Sequence, residues 1–95
     1  MSSRNRYLSP EGRKRACVIS ETLFWLRHEI RGGRRTLAGL KREAIFRLKR
    51  HVDRVQYLDI VDPETLESLK RVQPKMVAAA ACFVDETRLI DNVTI

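Results

Sequence analysis

The chain has 95 residues, 43% of them hydrophobic, and a formal net charge of +7. This length predicts one small domain with a thin core, and no stretch reaches the roughly 18 consecutive apolar residues of a membrane span. The first residues lack the apolar segment of a secretory signal, and Cys17 and Cys82 do not form a Cys-x-x-Cys pair. We therefore expect a reduced, cytoplasmic protein that does not bind membranes.

The positive charge is concentrated in the first half of the chain. Residues 1–51 contain 14 Lys and Arg against 4 Asp and Glu, whereas residues 52–95 contain 5 against 8. A basic half of this kind attracts nucleic acid, a phosphate-bearing small molecule or an acidic protein. Charge alone does not choose among these partners.

The first predicted element is a long helix. Ser9, Pro10 and Glu11 have the order of an N-cap, a first helical residue and an acid in the first turn. The Gly32-Gly33 pair ends the helix, because glycine adopts the left-handed C-cap conformation without steric cost. One buried helical face is predicted by apolar residues that recur three and four apart: Ala16, Ile19, Leu23, Leu26 and Ile30.

A second amphipathic helix is predicted after Thr36, its N-cap. Together with the first helix and the glycine turn, it is expected to form a helical hairpin. Its predicted inner face contains Leu37, Leu40, Ala44, Leu48 and Val52. Its predicted outer face contains Lys41, Arg42, Arg47, Lys49 and Arg50.

The hydrophobic pattern then changes to that of strands. Residues 55–61 alternate with two usable faces, and the sequence Asp-Pro-Glu-Thr at 62–65 ends this strand in a turn. Residues 76–84 are an alanine-rich run. Four consecutive alanines could form a helix, but the short length and the flanking Pro74 and Asp85 favour a strand under a closely packed helix. A tight hairpin at Asp85-Glu86 leads to a third strand over residues 87–93. The predicted fold is α+β, with a two-helix layer packed on a small three-stranded antiparallel sheet.

Three longer stretches carry a more specific signal. They are MSSRN with YLSPE in residues 1–11, YLDIVDPETL at 57–66 and TRLIDN at 87–92. In this order they resemble the C-terminal domain of the pantothenate synthetase (pantoate–β-alanine ligase) family. The resemblance implies that residues 1–95 form this single domain and that the family's N-terminal Rossmann-like domain is absent from the chain. Asp85-Glu86 departs from the family, which usually has glycine at the first of these positions.

The resemblance also implies a reaction. The family condenses pantoate with β-alanine through a pantoyl-adenylate, converting ATP to AMP and pyrophosphate. Residues 1–4 match the family's phosphate-binding loop, the counterpart of the Lys-Met-Ser-Lys-Ser loop in class I aminoacyl-tRNA synthetases. By this match Ser2 and Ser3 bind the ATP phosphates, Arg4 stabilises the leaving pyrophosphate, and Met1 packs against the nucleotide. Mg²⁺ would be bound mainly through ATP, the complete enzyme would be a homodimer, and this chain alone would be inactive.

The alternative function is a free-standing basic module that binds an anionic partner such as nucleic acid. The outer face of the second helix supplies the charge, but aromatic residues are few and no known nucleic-acid-binding signature accompanies it. We therefore interpret this surface as a solvated helix face and expect no nucleic-acid partner.

The remaining polar and sulfur-containing residues are interpreted as structural. We predict no metal site, because the two histidines and two cysteines lack the spacing of zinc ligands. Both cysteines are expected to be small buried apolar groups, and Val18 and Trp25 to pack in the core or an interface. Asp62 is predicted to cap the turn after the first strand, and Arg88 and Asp91 to make structural contacts.

Overall fold

The computed structural model describes residues 10–33 and 36–95. Within these ranges the chain forms two helices, α1 (Pro10–Gly32) and α2 (Leu37–Lys49), and three strands, β1 (Arg54–Val61), β2 (Val77–Val84) and β3 (Thr87–Thr94). The strands pair antiparallel in the order β1-β2-β3. One core lies between the helices and the sheet, so the predicted α+β architecture is confirmed.

Helix α1 buries the predicted apolar stripe against the sheet and against α2. It ends where predicted: Gly33 has a φ of +67°, and its N–H donates to the Ile30 carbonyl at 3.1 Å. The predicted N-cap, Ser9, lies outside the described residues. No helix in the described parts of the chain combines the length and the apolar character that crossing a membrane requires.

Helix α2 begins at the predicted cap. The Thr36 hydroxyl oxygen accepts the N–H of Gly39 at 3.2 Å, which satisfies one of the free donors at the helix start. Four of the five predicted inner residues are buried within the helix, and Val52 is buried just beyond its end.

Strand β2 explains the alanine-rich run. Ala78 and Ala80 are fully buried beneath the helices, and their small side chains let the helices approach the sheet closely. Ala81 points to the opposite face by strand alternation. It is nevertheless fully buried, with Tyr57 and Ile90 as its cross-strand neighbours.

Strand β1 contains an irregularity that simple alternation did not predict. The pairing with β2 shifts between Val55 and Tyr57, which is the signature of a β-bulge. Beyond this point Leu58 and Ile60 belong to the core. The chain then folds back along β1, where the N–H of Leu69 donates to the Ile60 carbonyl at 2.8 Å.

Candidate functional site

The residues predicted to bind ATP are at the start of the chain. Met1, Ser2, Ser3 and Arg4 lie outside the described residues. The described residues begin at Pro10, which is the first residue of α1. The first turns of α1 are therefore the described part of the molecule nearest in sequence to the predicted phosphate-binding segment.

Four residues from three parts of the fold meet near the start of α1, and we call them the Arg15 cluster: Arg15, His51, Asp53 and Asp85. Arg15 donates from Nε to the His51 carbonyl at 2.6 Å and from Nη2 to an Asp53 carboxylate oxygen. Its Nη1 lies 3.6 Å from the Asp85 carboxylate. The second Asp53 oxygen accepts the Asp85 N–H at 2.8 Å. One guanidinium thus joins α1 to the α2–β1 connection and to the β2–β3 hairpin.

The hydrogen bonds of this cluster favour the charged forms of Arg15 and Asp53. The bond from Arg15, followed by the bond from the Asp85 N–H, holds the pKa of Asp53 below its usual range. The same side-chain bond raises the pKa of Arg15. Both side chains are therefore charged at neutral pH, which is the state in which the planar guanidinium can donate to several acceptors at once.

The hairpin beside the cluster has an unusual backbone for its sequence. Asp85 and Glu86 have φ values of 51° and 65°, and form the two-residue connection between β2 and β3. Two successive positive φ angles are typical of a type I′ turn, which favours asparagine or aspartate followed by glycine. The tight hairpin predicted at Asp85-Glu86 is confirmed. The left-handed conformation of Glu86 was not predicted, although a two-residue hairpin loop is itself a signal for it.

The basic face of α2 is partly neutralised by contacts within the domain. Lys41 donates to an Asp59 carboxylate oxygen at 3.1 Å, so it contacts β1 and does not belong to a free outer surface. Arg47 stacks 4.0 Å from the centre of the Trp25 ring and lies 3.9 Å from the Glu43 carboxylate. These contacts favour a structural helix face over a nucleic-acid interface.

Exposed apolar atoms interrupt the charge on the rest of this face. Phe46 is 64% exposed, and it lines a shallow depression together with Arg42, Ile45 and Lys49. An isolated aromatic residue among basic side chains is common on protein surfaces, and it does not form the row of stacking groups that single-stranded nucleic acid requires.

Asp59 and Asp62 hold the connection that follows β1. Burial raises the pKa of Asp59, but hydrogen bonds from Ser68, Lys41 and its neighbour's N–H outweigh it and leave the pKa below its usual value. The pKa of Asp62 is lowered, first by the Gln73 amide and then by two backbone N–H groups. Those groups, of residues 64 and 65, donate to Asp62 at 2.8 and 3.1 Å, so the predicted turn cap is confirmed.

Arg88 and Asp91 make contacts between elements of the fold. Arg88 Nε donates to the Gln56 side chain at 2.6 Å, which connects β3 to β1 across the intervening strand. Asp91 accepts the Ser20 hydroxyl at 2.6 Å, which connects β3 to α1. Both contacts agree with the structural roles predicted for these residues.

The two cysteines differ in environment. Cys82 is fully buried as predicted, and burial raises its pKa to about 11. The prediction for Cys17 is wrong: it is exposed, because it follows Ala16 by one position and so points away from the buried stripe. In residues 10–33 and 36–95, no three His, Cys, Asp or Glu side chains are arranged to hold a metal ion.

Comparisons with known proteins identify the family. The profile of the family described as Pantoate-beta-alanine ligase matches residues 1–94. The chain is 48% identical over 96 residues to pantothenate synthetase 1 of Bradyrhizobium diazoefficiens, and 37% identical over 95 residues to the pantothenate synthetase of Fervidobacterium nodosum. Each match covers 100% of this chain and 34% of the relative.

The solved structures agree with the sequence matches. The crystal structure of pantothenate synthetase from Thermus thermophilus is similar to this fold with a TM-score of 0.86 and 39% identity. The match covers 98% of this chain and 34% of that chain. The fold is that of the C-terminal domain of a ligase. The chain belongs to the pantoate–β-alanine ligase family, and it spans about a third of the length of the relatives it matches.

Proposed function

We propose that the chain is the ATP-binding C-terminal domain of a pantothenate synthetase. In this reaction the pantoate carboxylate attacks the α-phosphate of ATP, forming pantoyl-adenylate and releasing pyrophosphate, and the amine of β-alanine then displaces AMP. The observation that carries the proposal is the family match over residues 1–94, because it includes the four residues of the predicted phosphate-binding segment.

The side chains of this segment suit a triphosphate. Ser2 and Ser3 donate hydroxyl hydrogen bonds to the phosphate oxygens, and Arg4 adds a charged fork that can span two oxygens. Such charge-assisted bonds contribute about 1.5–3 kcal/mol each. They accelerate adenylation when they tighten as charge moves onto the pyrophosphate. The pantoate carboxylate is ionised at neutral pH, so this step needs no general base.

The rest of the enzyme completes the site in this proposal. ATP enters with its Mg²⁺, pantoate and β-alanine are bound by the N-terminal domain, and the complete enzyme is a cytoplasmic homodimer. Closure of this domain over ATP assembles the phosphate contacts and shields the adenylate from water. The chain alone is inactive, because fixing residues 1–4 without an opposing surface costs about 1–2 kcal/mol of conformational entropy per residue.

A chimera tests the proposal. The matching third of the Bradyrhizobium diazoefficiens enzyme is replaced by this chain, and pantoate-dependent pyrophosphate release and pantothenate formation are measured. We expect activity in the chimera and none in this chain alone. Arg4→Ala should lower the adenylation rate about 100-fold, whereas Lys14→Ala, which removes an exposed charge on α1, should leave it unchanged.

Two results would contradict the proposal. An inactive chimera that is folded would show that this chain does not provide the domain's function. An active chimera in which Arg4→Ala and the double change Ser2→Ala with Ser3→Ala both keep the full adenylation rate would remove these residues from the phosphate site.

A further inference from the structure

We propose that Arg15 is a positioning residue for the ATP-phosphate-binding segment, because it fixes the first turns of α1 against two other parts of the fold. The inference rests on the proposed function and assigns a role to a residue outside the segment itself. Arg15 follows Pro10 by five residues, which places its Cα about 7.5 Å along the helix axis. The segment, residues 1–4, precedes this end of α1 in the sequence and is linked to it by residues 5–9.

The contacts of Arg15 restrain the helix from more than one direction. Its three guanidinium nitrogens contact His51 and Asp53, which lie in the α2–β1 connection, and Asp85, which lies in the β2–β3 hairpin. A helix held by one acceptor can pivot about it. A helix held by acceptors in separate elements resists both sliding and tilting, because each movement lengthens at least one contact.

The acceptors are themselves held by backbone hydrogen bonds. The N–H of His51 donates to the Leu48 carbonyl at 3.0 Å, and the N–H of Asp53 donates to the Phe83 carbonyl at 2.9 Å. The Asp85 N–H is in turn bonded to Asp53. The Arg15 cluster therefore connects α1 to a rigid frame formed by α2 and the sheet.

The Arg15 cluster affects the position of α1 more than it affects the free energy of unfolding. The side chains of Arg15 and Asp53 are 27% and 51% exposed, and exposed ion pairs contribute little to the free energy of unfolding. Catalysis is more sensitive, because a displacement of about 1 Å in a group that contacts substrate can cost on the order of 100-fold in rate. Loss of Arg15 should therefore change ATP kinetics more than it changes folding.

The experiment uses the active chimera and measures kcat and KM separately for ATP and for pantoate. Arg15→Ala should lower kcat/KM for ATP about tenfold and leave the KM for pantoate unchanged. Arg15→Lys should restore part of the loss, since an ammonium keeps the charge but cannot span the same acceptors. Asp53→Asn should lower kcat/KM for ATP less than Arg15→Ala does, and should add little in the double variant because both changes break the same contact.

Two controls separate positioning from general destabilisation. Lys14→Ala removes a neighbouring exposed charge, and Lys41→Ala removes a comparable ion pair that joins α2 to β1. Neither variant should change kcat or the KM for ATP. Hydrogen exchange should show faster exchange at the amides of residues 16–19 in Arg15→Ala and unchanged exchange in β2.

The outcomes are distinguishable. If the wild-type chimera is folded but inactive, the proposed function fails and this inference fails with it. If the chimera is active and Arg15→Ala has the same kcat/KM for ATP as the wild type, the inference alone is overturned. It is also overturned if Arg15→Ala impairs kcat/KM for ATP and the KM for pantoate to the same extent, and by no more than Lys41→Ala does.

Discussion

The two ends of the domain are held together by different kinds of contact. At the end where α1 begins, Arg15 forms charged contacts with residues 36 or more positions away in sequence. At the end where β1 finishes, Met76 is buried in the core, and Asp62 bonds to residues two, three and eleven positions away. Both ends bury apolar side chains, among them Leu48 and Val84 at the first and Met76 at the second. The first end adds exposed long-range charged contacts, and the second adds the local hydrogen bonds of Asp62.

The two kinds of contact have different effects: one mainly on the free energy of unfolding, the other mainly on the relative position of the elements. Burial of an apolar side chain removes surface from water and contributes directly to the free energy of unfolding. An exposed charged network contributes less, but its directional bonds define where one element lies relative to another. We therefore expect substitutions at the Met76 end to affect folding most, and substitutions in the Arg15 cluster to affect geometry most.

The largest expected effect is at the Met76 end. Met76 is 2% exposed, and its carbonyl accepts the N–H of Ile95 at 2.9 Å. Met76→Ala should lower the free energy of unfolding by about 2–5 kcal/mol, because it removes buried surface and leaves a cavity. Urea denaturation measures this change. Val72→Ala, at an exposed position of the same connection, should cost less than about 0.5 kcal/mol, and equal losses in the two variants would contradict the comparison.

A smaller effect of opposite sign is expected in the hairpin at the Arg15 end. Glu86 has a φ of 65°, a conformation that costs a non-glycine residue about 1–2 kcal/mol. Glycine removes this cost but adds flexibility to the unfolded chain, so Glu86→Gly should stabilise the domain by about 0.5–1 kcal/mol. Glu86→Ala keeps a Cβ atom and should not stabilise it. Thermal unfolding of both variants shows whether a gain in stability comes from relief of the backbone conformation or from loss of the Glu86 carboxylate.

Local sequence patterns predicted much of this fold, but not the contacts that join its elements. The stripe on α1, the Thr36 cap and the Asp62 turn each depend on residues a few positions apart, so the sequence contains their signal. Arg15 lies on a helix rich in charged residues, and its acceptors are distant in sequence. Nothing local distinguishes it from a solvated arginine.

Two further features depended on information outside the local pattern. The bulge near Val55 results from pairing with β2, which a single strand's alternation does not encode. The proposed roles of residues 1–4 came from the family resemblance, since two serines and an arginine have no specific periodicity. Sequence reasoning thus predicted the elements and their two layers, whereas the individual contacts between elements required the structure.

Acidification should weaken the Arg15 cluster in a defined pH range. The folded-state pKa of Asp53 is lowered, so this carboxylate stabilises the domain above its unfolded pKa of about 3.9. That contribution is lost as the pH falls through the lower, folded-state pKa. Asp53→Asn should therefore show a flatter decline of stability below about pH 4 than the wild type does. Denaturation midpoints from pH 7 to pH 2 measure this slope, and identical slopes would show that the ion pair makes no thermodynamic contribution.

The smallest global effect is expected for Asp62, because its acceptor oxygens serve only the connection after β1. Asp62→Ala removes the bonds to the N–H groups of Glu64 and Thr65 and to the Gln73 side chain. Exchange at those two amides should accelerate about tenfold, while the amides of β2 remain protected. Asp62→Asn keeps a side-chain carbonyl that can accept the same N–H groups, so it should preserve their protection although the charge is lost. If Asp62→Ala instead accelerated exchange throughout β2, the hydrogen bonds of Asp62 would be coupled to global unfolding, as the burial of Met76 is. The distinction between the local hydrogen bonds and the apolar core at this end of the domain would then fail.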